Sequence, residues 1–529
     1  MRSHCNPAWK AGAIAFVALI CGLVRANTNY VEFCRLPATG PRDGSAANPY
    51  DSVGNAVQQV STGGRILIEG GGLFPETGGV PLVIDRSVYI TAQNGTAVVG
   101  QPAATQKICQ LTGQMDKERN QYIGTETDYG LAGVDLGASV EHNGRVYFLF
   151  GDTAPSGPLN PPWRDTATDS VVWVPANSDP EQGLHLNFLT APDGKYLSPR
   201  IKLTSQSSCA GASEVDVSTF DVPGGGFSDG ASIYVFYTTC WNGSFDAPLM
   251  GKSLLVRLDD KANNCFTWIY TLSCLPNAAC YDDGIPVCGK FINVAPVVVT
   301  NSDFPGLPPS TGRGVLLFGS GRYRKSEVYL AYLPLEGLEN RQNLLYWGTD
   351  GVGGTNWVTS ELSAIPLFVS PEPGVGEFSV SWNSFLMKWI MVYNQRTPMP
   401  DGPNLIYYRL GDHPWGPWHA PAVLFDPACD RGFGHFMHYS NPISCDTVGD
   451  GLQGDPNRVG DVYGPYLISH FTRANITTTT IYWTMSTWNP YQVMLMKSRL
   501  RPDGSLDQLG SRYPALSQFP RTDSHPSNL

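Results

Sequence analysis

Gly133-Val-Asp-Leu-Gly-Ala-Ser-Val-Glu-His-Asn-Gly-Arg-Val-Tyr-Phe-Leu-Phe-Gly-Asp-Thr153 decides how this chain folds. Apolar or alternating residues flank Asn143-Gly144, the strongest short-range signal for a β-hairpin, because a type I′ turn needs positive φ at both central residues. With a two-residue turn there, His142 faces Arg145 and every further pair keeps the same sum, so Asp135 is expected opposite Asp152. Directly opposed Cβ atoms lie about 4.5–5.5 Å apart. Two carboxylates that close cannot both ionise freely, and one tends to keep its proton. A proton-bearing acid beside an ionised carboxylate is the equipment of glycoside hydrolysis, and so short a separation favours the retaining geometry. The bland alternative is a bulge that breaks the register, or two aspartates that merely end strands.

Working outward, the second half of that hairpin recurs. A short aliphatic–aromatic strand runs into a small polar turn at Val146–Asp152, Ile233–Thr239, Val315–Gly321, Trp389–Asn394 and Ile481–Ser486, roughly 75–90 residues apart. Each copy is followed by a further strand: Asp169–Val174, Ser253–Leu258, Val328–Leu333, Leu405–Leu410 and Gln492–Lys497. Strands in threes and fours repeated five times predict an all-β fold, a five-bladed β-propeller over residues 108–505, with a β-sandwich array as the competitor. Residues 27–107 read differently. A short helix from Val53 to Val60 precedes rungs at Arg65–Glu69, Pro81–Thr91 and Ala97–Gly100, which resemble the start of a parallel β-helix. This partial β-helix-like module is read as structural. Residues 506–529 have the composition of a tail.

The formal charge of −11, with 15% charged residues and 57 glycines, suits a turn-rich β protein and gives no basic stripe for nucleic acid. Arg2 and Lys10 precede an apolar run from Ala11 to Val24, and Val24-Arg25-Ala26 resembles a cleavage site, so residues 1–26 are expected to be a secretory signal peptide. An uncleaved anchor is the alternative. Cleavage leaves ten of the twelve cysteines, an even number consistent with disulfides in a secreted chain, and no integral membrane association. Four of these, Cys265, Cys274, Cys280 and Cys288, fall in one Pro/Asn/Gly-rich excursion, which reads as a disulfide-stapled loop rather than a zinc site. Asn94, Asn242 and Asn475 begin glycosylation sequons. The glycine runs Gly70–Gly72 and Gly224–Gly226 lack the context of a phosphate cradle and read as turns. No metal or cofactor is expected.

Val134-Asp-Leu-Gly followed by Tyr147-Phe-Leu-Phe-Gly-Asp-Thr resembles the opening blade of a family first catalogued as a domain of unknown function and associated with endo-D-arabinofuranases, secreted five-bladed propeller glycoside hydrolases. Lys290-Phe-Ile-Asn-Val-Ala-Pro296, Gly321-Arg-Tyr-Arg-Lys-Ser326, Gly376-Glu-Phe-Ser-Val-Ser-Trp-Asn383, Trp415-Gly-Pro-Trp418, Tyr463-Gly-Pro-Tyr466 and Met485-Ser-Thr-Trp-Asn-Pro-Tyr491 extend the resemblance over residues 120–502. It implies Asp135 and Asp152 as the catalytic pair and D-arabinan, a polysaccharide, as substrate. The rung module and the cysteine-rich loop depart from a minimal member.

Other residues compete for roles. Glu377 begins a blade much as Asp135 does, and is either a general acid in a different furanosidase mechanism, a ligand to sugar hydroxyls, or the partner of Arg322 or Arg324. Those arginines are placed to bond substrate or the aspartates. Asp152 is read as the acid because Phe148 and Phe150 lie beside it, and Asp135 as nucleophile or base. His435 and His438 are three apart in a glycine-flanked loop, read as sugar contacts or ordinary loop histidines, with metal disfavoured. Trp163, Tyr323, Tyr466 and Trp488 offer flat faces for sugar rings. Asp165 and Asp169 read as surface strand ends or as cleft residues. The rival from another class is a carbohydrate-binding propeller without turnover.

Overall fold

The computed structural model describes residues 27–31, 41–50, 52–69, 73–74, 83–94, 98–99, 103–156, 168–205, 209, 221–242, 249–262, 264–275, 285, 288–309, 312–370, 374–396, 404–438, 448 and 459–508. The chain divides into two compact units, Ala104–Asp507 and Met1–Ala103 with Gln508–Leu529. The proposed signal peptide, Trp163, Asp165 and Gly70–Gly72 lie outside the described residues.

The larger unit is a five-bladed β-propeller. From the inner strand outward, blade 1 is Leu131–His142, Arg145–Pro155, Thr168–Pro175 and Asn187–Phe188. Blade 2 is Val222–Ser228, Ile233–Asn242, Leu249–Asp260, Cys265–Cys274 and, parallel to the last, Arg200–Lys202. Blade 3 is Asn293–Thr300, Arg313–Ser320, Val328–Pro334, Leu345–Thr349 and Thr355–Val358, and blade 4 is Phe378–Asn383, Lys388–Arg396, Asn404–Gly411 and Ala422–Phe425. Blade 5 closes the ring with strands from both ends of the unit: Asp461–Leu467, Thr479–Trp488 and Gln492–Leu500 are joined at the outer edge by Thr105–Gln110.

The repeated apolar runs are the middle strands, and their composition follows from burial on both faces. In blade 1, Val146, Phe148 and Phe150 pack toward Ile108, Val493 and Leu495 of blade 5, whereas Tyr147 and Leu149 pack toward Val235, Leu254 and Val256 of blade 2. Successive side chains of a strand point to opposite faces, so a sheet sandwiched between two others needs apolar residues at every position. The glycines 224–226 are not a turn. They lie in the inner strand of blade 2, where an added Cβ on Gly225 would stand 2.6 Å from Val294 O and one on Gly226 2.7 Å from a Val140 methyl. Side chains are omitted there because neighbouring inner strands come too close to admit them.

In the smaller unit a helix, Val53–Gln59, is capped by Ser52, whose Oγ accepts from the Asn55 amide at 3.1 Å. Thr28–Val31, Arg65–Glu69 and Tyr89–Gln93 pair in parallel, and Leu73–Phe74 pairs in parallel with Val98–Val99. These are the stacked rungs of a short β-helix-like segment. Of the strand expected over Pro81–Thr91, Tyr89–Thr91 form one, which continues to Gln93, and Val83–Val88 are not in a strand. Cys265 does not close the cysteine-rich loop on itself; its sulfur bonds Cys209, between the parallel edge strand and the inner strand of blade 2. No described helix is long and apolar enough to cross a membrane.

Candidate active site

The Asn143-Gly144 turn forms as expected, with φ of 48° and 72°. The pairing it starts holds from Arg145↔His142 to Leu149↔Ala138, and then slips by one residue, so that Gly151, not Asp152, faces Asp135. The slip occurs at Leu136 and Gly137, with φ of 62° and 114°. Gly137 is required there: besides its φ, an added Cβ would stand 3.0 Å from Phe150 and 3.2 Å from Thr484 Oγ1. The Ser486 hydroxyl accepts the freed Leu136 N–H at 2.7 Å, and the Thr484 hydroxyl donates to the Gly137 carbonyl at 3.1 Å. A second irregularity falls at Asp152 itself, φ 30°, where register breaks toward both neighbouring strands. The direct opposition expected from hairpin counting is therefore wrong, and with it goes the distance argument for retention. The two carboxyls nevertheless meet in one cavity, because a bulge turns each strand toward the axis.

That cavity lies at the end of the propeller axis where the inner strands begin, and holds about 600 Å³, open solvent at its mouth included. All five blades contribute: Asp135, Leu136 and Asp152 from blade 1, Val222, Gly224, Thr238 and Met250 from blade 2, Ile292, Asn293, Ser320, Gly321, Tyr323 and Arg324 from blade 3, Gly376 and Glu377 from blade 4, Tyr463 and Tyr466 from blade 5.

Asp135 is buried and its Oδ2 accepts from the Tyr463 hydroxyl at 3.0 Å, while its Oδ1 makes no hydrogen bond among the described residues. Burial raises its pKa to about 7; the Tyr463 and Tyr491 hydroxyls and Arg324 pull it down, and Glu377 pushes it up. Asp152 opens in part on the cavity. Its pKa stands well above the usual range, through burial first and then the charges of Asp135 and Asp221. Phe148 and Phe150 belong to the core between blades 1 and 5, so the neighbouring carboxylates, rather than these rings, single out Asp152. Asp169, begun as a strand end, is buried within the same group, and its pKa is raised by burial, Asp221, Asp152 and Asp135.

On the facing wall Arg324 holds Glu377. The guanidinium Nε donates to both carboxylate oxygens at 3.0 and 3.1 Å, and a terminal nitrogen adds a third bond of 2.8 Å. The guanidinium also stands over the rings of Tyr323 and Tyr463, at 4.7 and 5.1 Å. Arg322 is exposed and does not line the cavity. Tyr466 does, and its buried hydroxyl makes no hydrogen bond among the described residues. Trp488 stands one layer back, edge-on to Tyr491 with centroids 5.7 Å apart.

The two histidines lie elsewhere. His435 is at the outer edge of blade 5, 3.4 Å from Glu118, which also meets Lys107 at 2.8 Å. Burial acts to raise Glu118, but His435 and Lys107 hold it down, to about 2. His438 is buried where the chain enters the inner strand of blade 5, its N–H on Asn489 O and its carbonyl accepting from Gly460. Among the described residues no group of three His, Cys, Asp or Glu is arranged to hold a metal ion. Sequence reading missed Asp221, which carries no motif, and passed over Tyr463 and Asn293, although both lie inside the quoted family segments.

A family model described as Domain of unknown function (DUF4185) matches residues 123–497. The chain belongs to the DUF4185 family. No curated protein matches it at a significant level. Among solved structures, this DUF4185 chain is similar to the catalytic domain of the Coprinopsis cinerea GH62 alpha-L-arabinofuranosidase, with 12% identity and a TM-score of 0.36 over 75% of this chain and 97% of that one. It is also similar to a thermostable family-43 glycoside hydrolase, at 13% and 0.33 over 73% and 96% of the two chains. A third is a glycosyl hydrolase from Bacteroides ovatus, at 9% and 0.38 over 76% and 96%.

Proposed function

We propose that this DUF4185 protein is a secreted glycoside hydrolase that cuts furanoside linkages within a polysaccharide, with D-arabinan as substrate. The observation that carries the reading is the pair Asp135 and Asp152, turned by a double bulge into one axial cavity, both held above the ordinary carboxylate range. Asp152, faced by other carboxylates, carries the proton and gives it to the leaving glycosidic oxygen as the C–O bond breaks. Asp135, accepting from Tyr463, acts as the base or nucleophile at the anomeric carbon. Glu377 is committed to Arg324 by three hydrogen bonds, which supports a sugar-positioning role over that of the acid. The choice of D-arabinan rests on the family resemblance of the quoted motifs, and secretion on residues 1–26.

The test is release of reducing ends by the mature protein from D-arabinan, L-arabinan and a pyranose glycan in parallel, with folded Asp135→Asn and Asp152→Asn proteins alongside. Oligosaccharides from D-arabinan alone, lost in both variants, are expected. No release from any glycan, with binding intact in Asp135→Asn, would replace the hydrolase by a binding propeller.

A further inference from the structure

The inner strand of blade 3 opens on Asn293, whose antiparallel partner in the middle strand is Ser320, and both line the axial cavity. Directly paired residues of two antiparallel strands put their side chains on one face. A carboxamide and a hydroxyl therefore stand side by side at the cavity wall. Ser320 is buried, while Asn293 is half-buried.

The neighbouring blade leaves room for the carboxamide. Gly224, third in the inner strand of blade 2, also lines the cavity, and a Cβ added there would stand 3.0 Å from Asn293 Oδ1. No positive φ calls for glycine at 224, so the space beside Oδ1 is what the missing side chain provides. Several other polar groups of the cavity are engaged within the protein. The Thr238 hydroxyl donates to Val222 O at 3.3 Å, Tyr463 donates to Asp135, and Arg324 to Glu377. Neither the Asn293 carboxamide nor the Ser320 hydroxyl is hydrogen-bonded among the described residues.

A carboxamide offers one acceptor oxygen and two N–H donors in a plane, and a hydroxyl adds a rotatable donor and acceptor. That set matches adjacent hydroxyls on one sugar ring, each of which both donates and accepts. It carries no charge. Val222, Met250 and Ile292, which share this wall, supply apolar surface for the C–H faces of the ring. A site built to bond a hydroxyl discriminates strongly against the analogue that lacks it, because its own polar groups are then left unpaired.

We propose that Asn293, with Ser320 beside it, selects the sugar: its carboxamide binds two adjacent hydroxyls of the furanose held against Asp135 and Asp152. This rests on the glycan reading above.

The experiment titrates a D-arabinofuranose oligosaccharide and its monodeoxy analogues into Asp152→Asn protein by calorimetry, so that binding is read without turnover. Adding Asn293→Ala is expected to weaken the parent oligosaccharide about tenfold or more, as the loss of two ordinary hydrogen bonds would. Analogues lacking the hydroxyls that Asn293 holds should bind the Asn293→Ala protein as well as the parent does. Gly224→Ala should weaken binding where Asn293 is present and not where it is alanine, because the added methyl acts by displacing the carboxamide. With Asp152 intact, Asn293→Ala should raise KM and leave kcat within about threefold. Unchanged affinity in Asn293→Ala, or a loss equal for every analogue, would overturn the proposal whether or not the protein cuts D-arabinan. Wild-type protein that binds none of these oligosaccharides would overturn it as well. Should Asn293→Ala not fold, Asn293→Asp, alike in shape but without the N–H donors, must abolish discrimination against at least one analogue. Asn293-dependent binding in a protein that releases no product would uphold the assignment while removing the hydrolase reading.

Discussion

The two walls of the axial cavity handle negative charge in opposite ways. On the wall of blades 3 and 4, Glu377 is neutralised by a guanidinium that is itself sandwiched near two tyrosines. On the blade 1 side, Asp135 and Asp152, with Asp169 behind them, lie close together; the Tyr463 hydroxyl bonds Asp135, and none of the three makes an ion pair among the described residues. A paired carboxylate binds and orients, whereas unpaired ones must share protons, and proton transfer is what chemistry at an acetal needs.

The largest test of that contrast is catalytic. Asp135→Asn and Asp152→Asn should each lower kcat by about 10²–10⁴-fold, while Glu377→Gln should act mainly through KM. Comparable kcat losses in all three, measured on D-arabinan, would erase the difference between the walls. Next, Gly137→Ala should cost about 1–3 kcal/mol in urea unfolding and displace Asp135, since the bulge needs positive φ and has no room for Cβ. Arg324→Ala should convert the paired wall into an unpaired one. A stability loss of about 1–2 kcal/mol is expected, below that of a fully buried pair because the arginine side chain is 34% exposed.

A smaller effect is pH dependence. The folded-state pKa of Asp135 is raised from 3.8 to about 7, so the native state binds its proton more tightly than the unfolded chain. That contribution is fully present below pH 4 and is lost as pH rises through 7. Asp135→Asn should therefore gain about 1 kcal/mol or more relative to wild type between pH 4 and pH 7, by urea melts at both. An unchanged difference would show that the carboxyl ionises without penalty. Smallest of all, Arg322→Ala should alter stability by less than about 0.5 kcal/mol and leave activity within twofold, because its side chain is exposed outside the cavity.

Local chemistry in the sequence carried much of this. The Asn143-Gly144 turn, the five middle strands and the third strands after them were legible because turn conformation and apolar runs are local signals. The register slip was not, since Gly137 is forced by Phe150 and Thr484 and compensated by Ser486, more than three hundred residues away in the latter case. Asp169 looked like a strand end because nothing in its neighbourhood says that blade 2 covers it. Arg322 and Arg324 are indistinguishable by type, and it is the backbone turn at Arg324, φ 51°, that separates them. His435 and His438, read as sugar contacts or ordinary loop histidines, are parted by a tight turn that sends one to Glu118 and the other inward.

The closing strand of blade 5 sets an order on assembly. Thr112 accepts from the Val493 amide, 381 residues later, and the adjoining strand Thr105–Gln110 pairs there as well. At translation rates of about 5–20 residues per second, that edge waits roughly 20–80 s for its partner. Ile108 and Cys109, buried in the finished ring, spend that interval as part of an unpaired strand. The ribosome thus delivers first the piece that can be used only last, and every truncation that removes the final blade also strands the first.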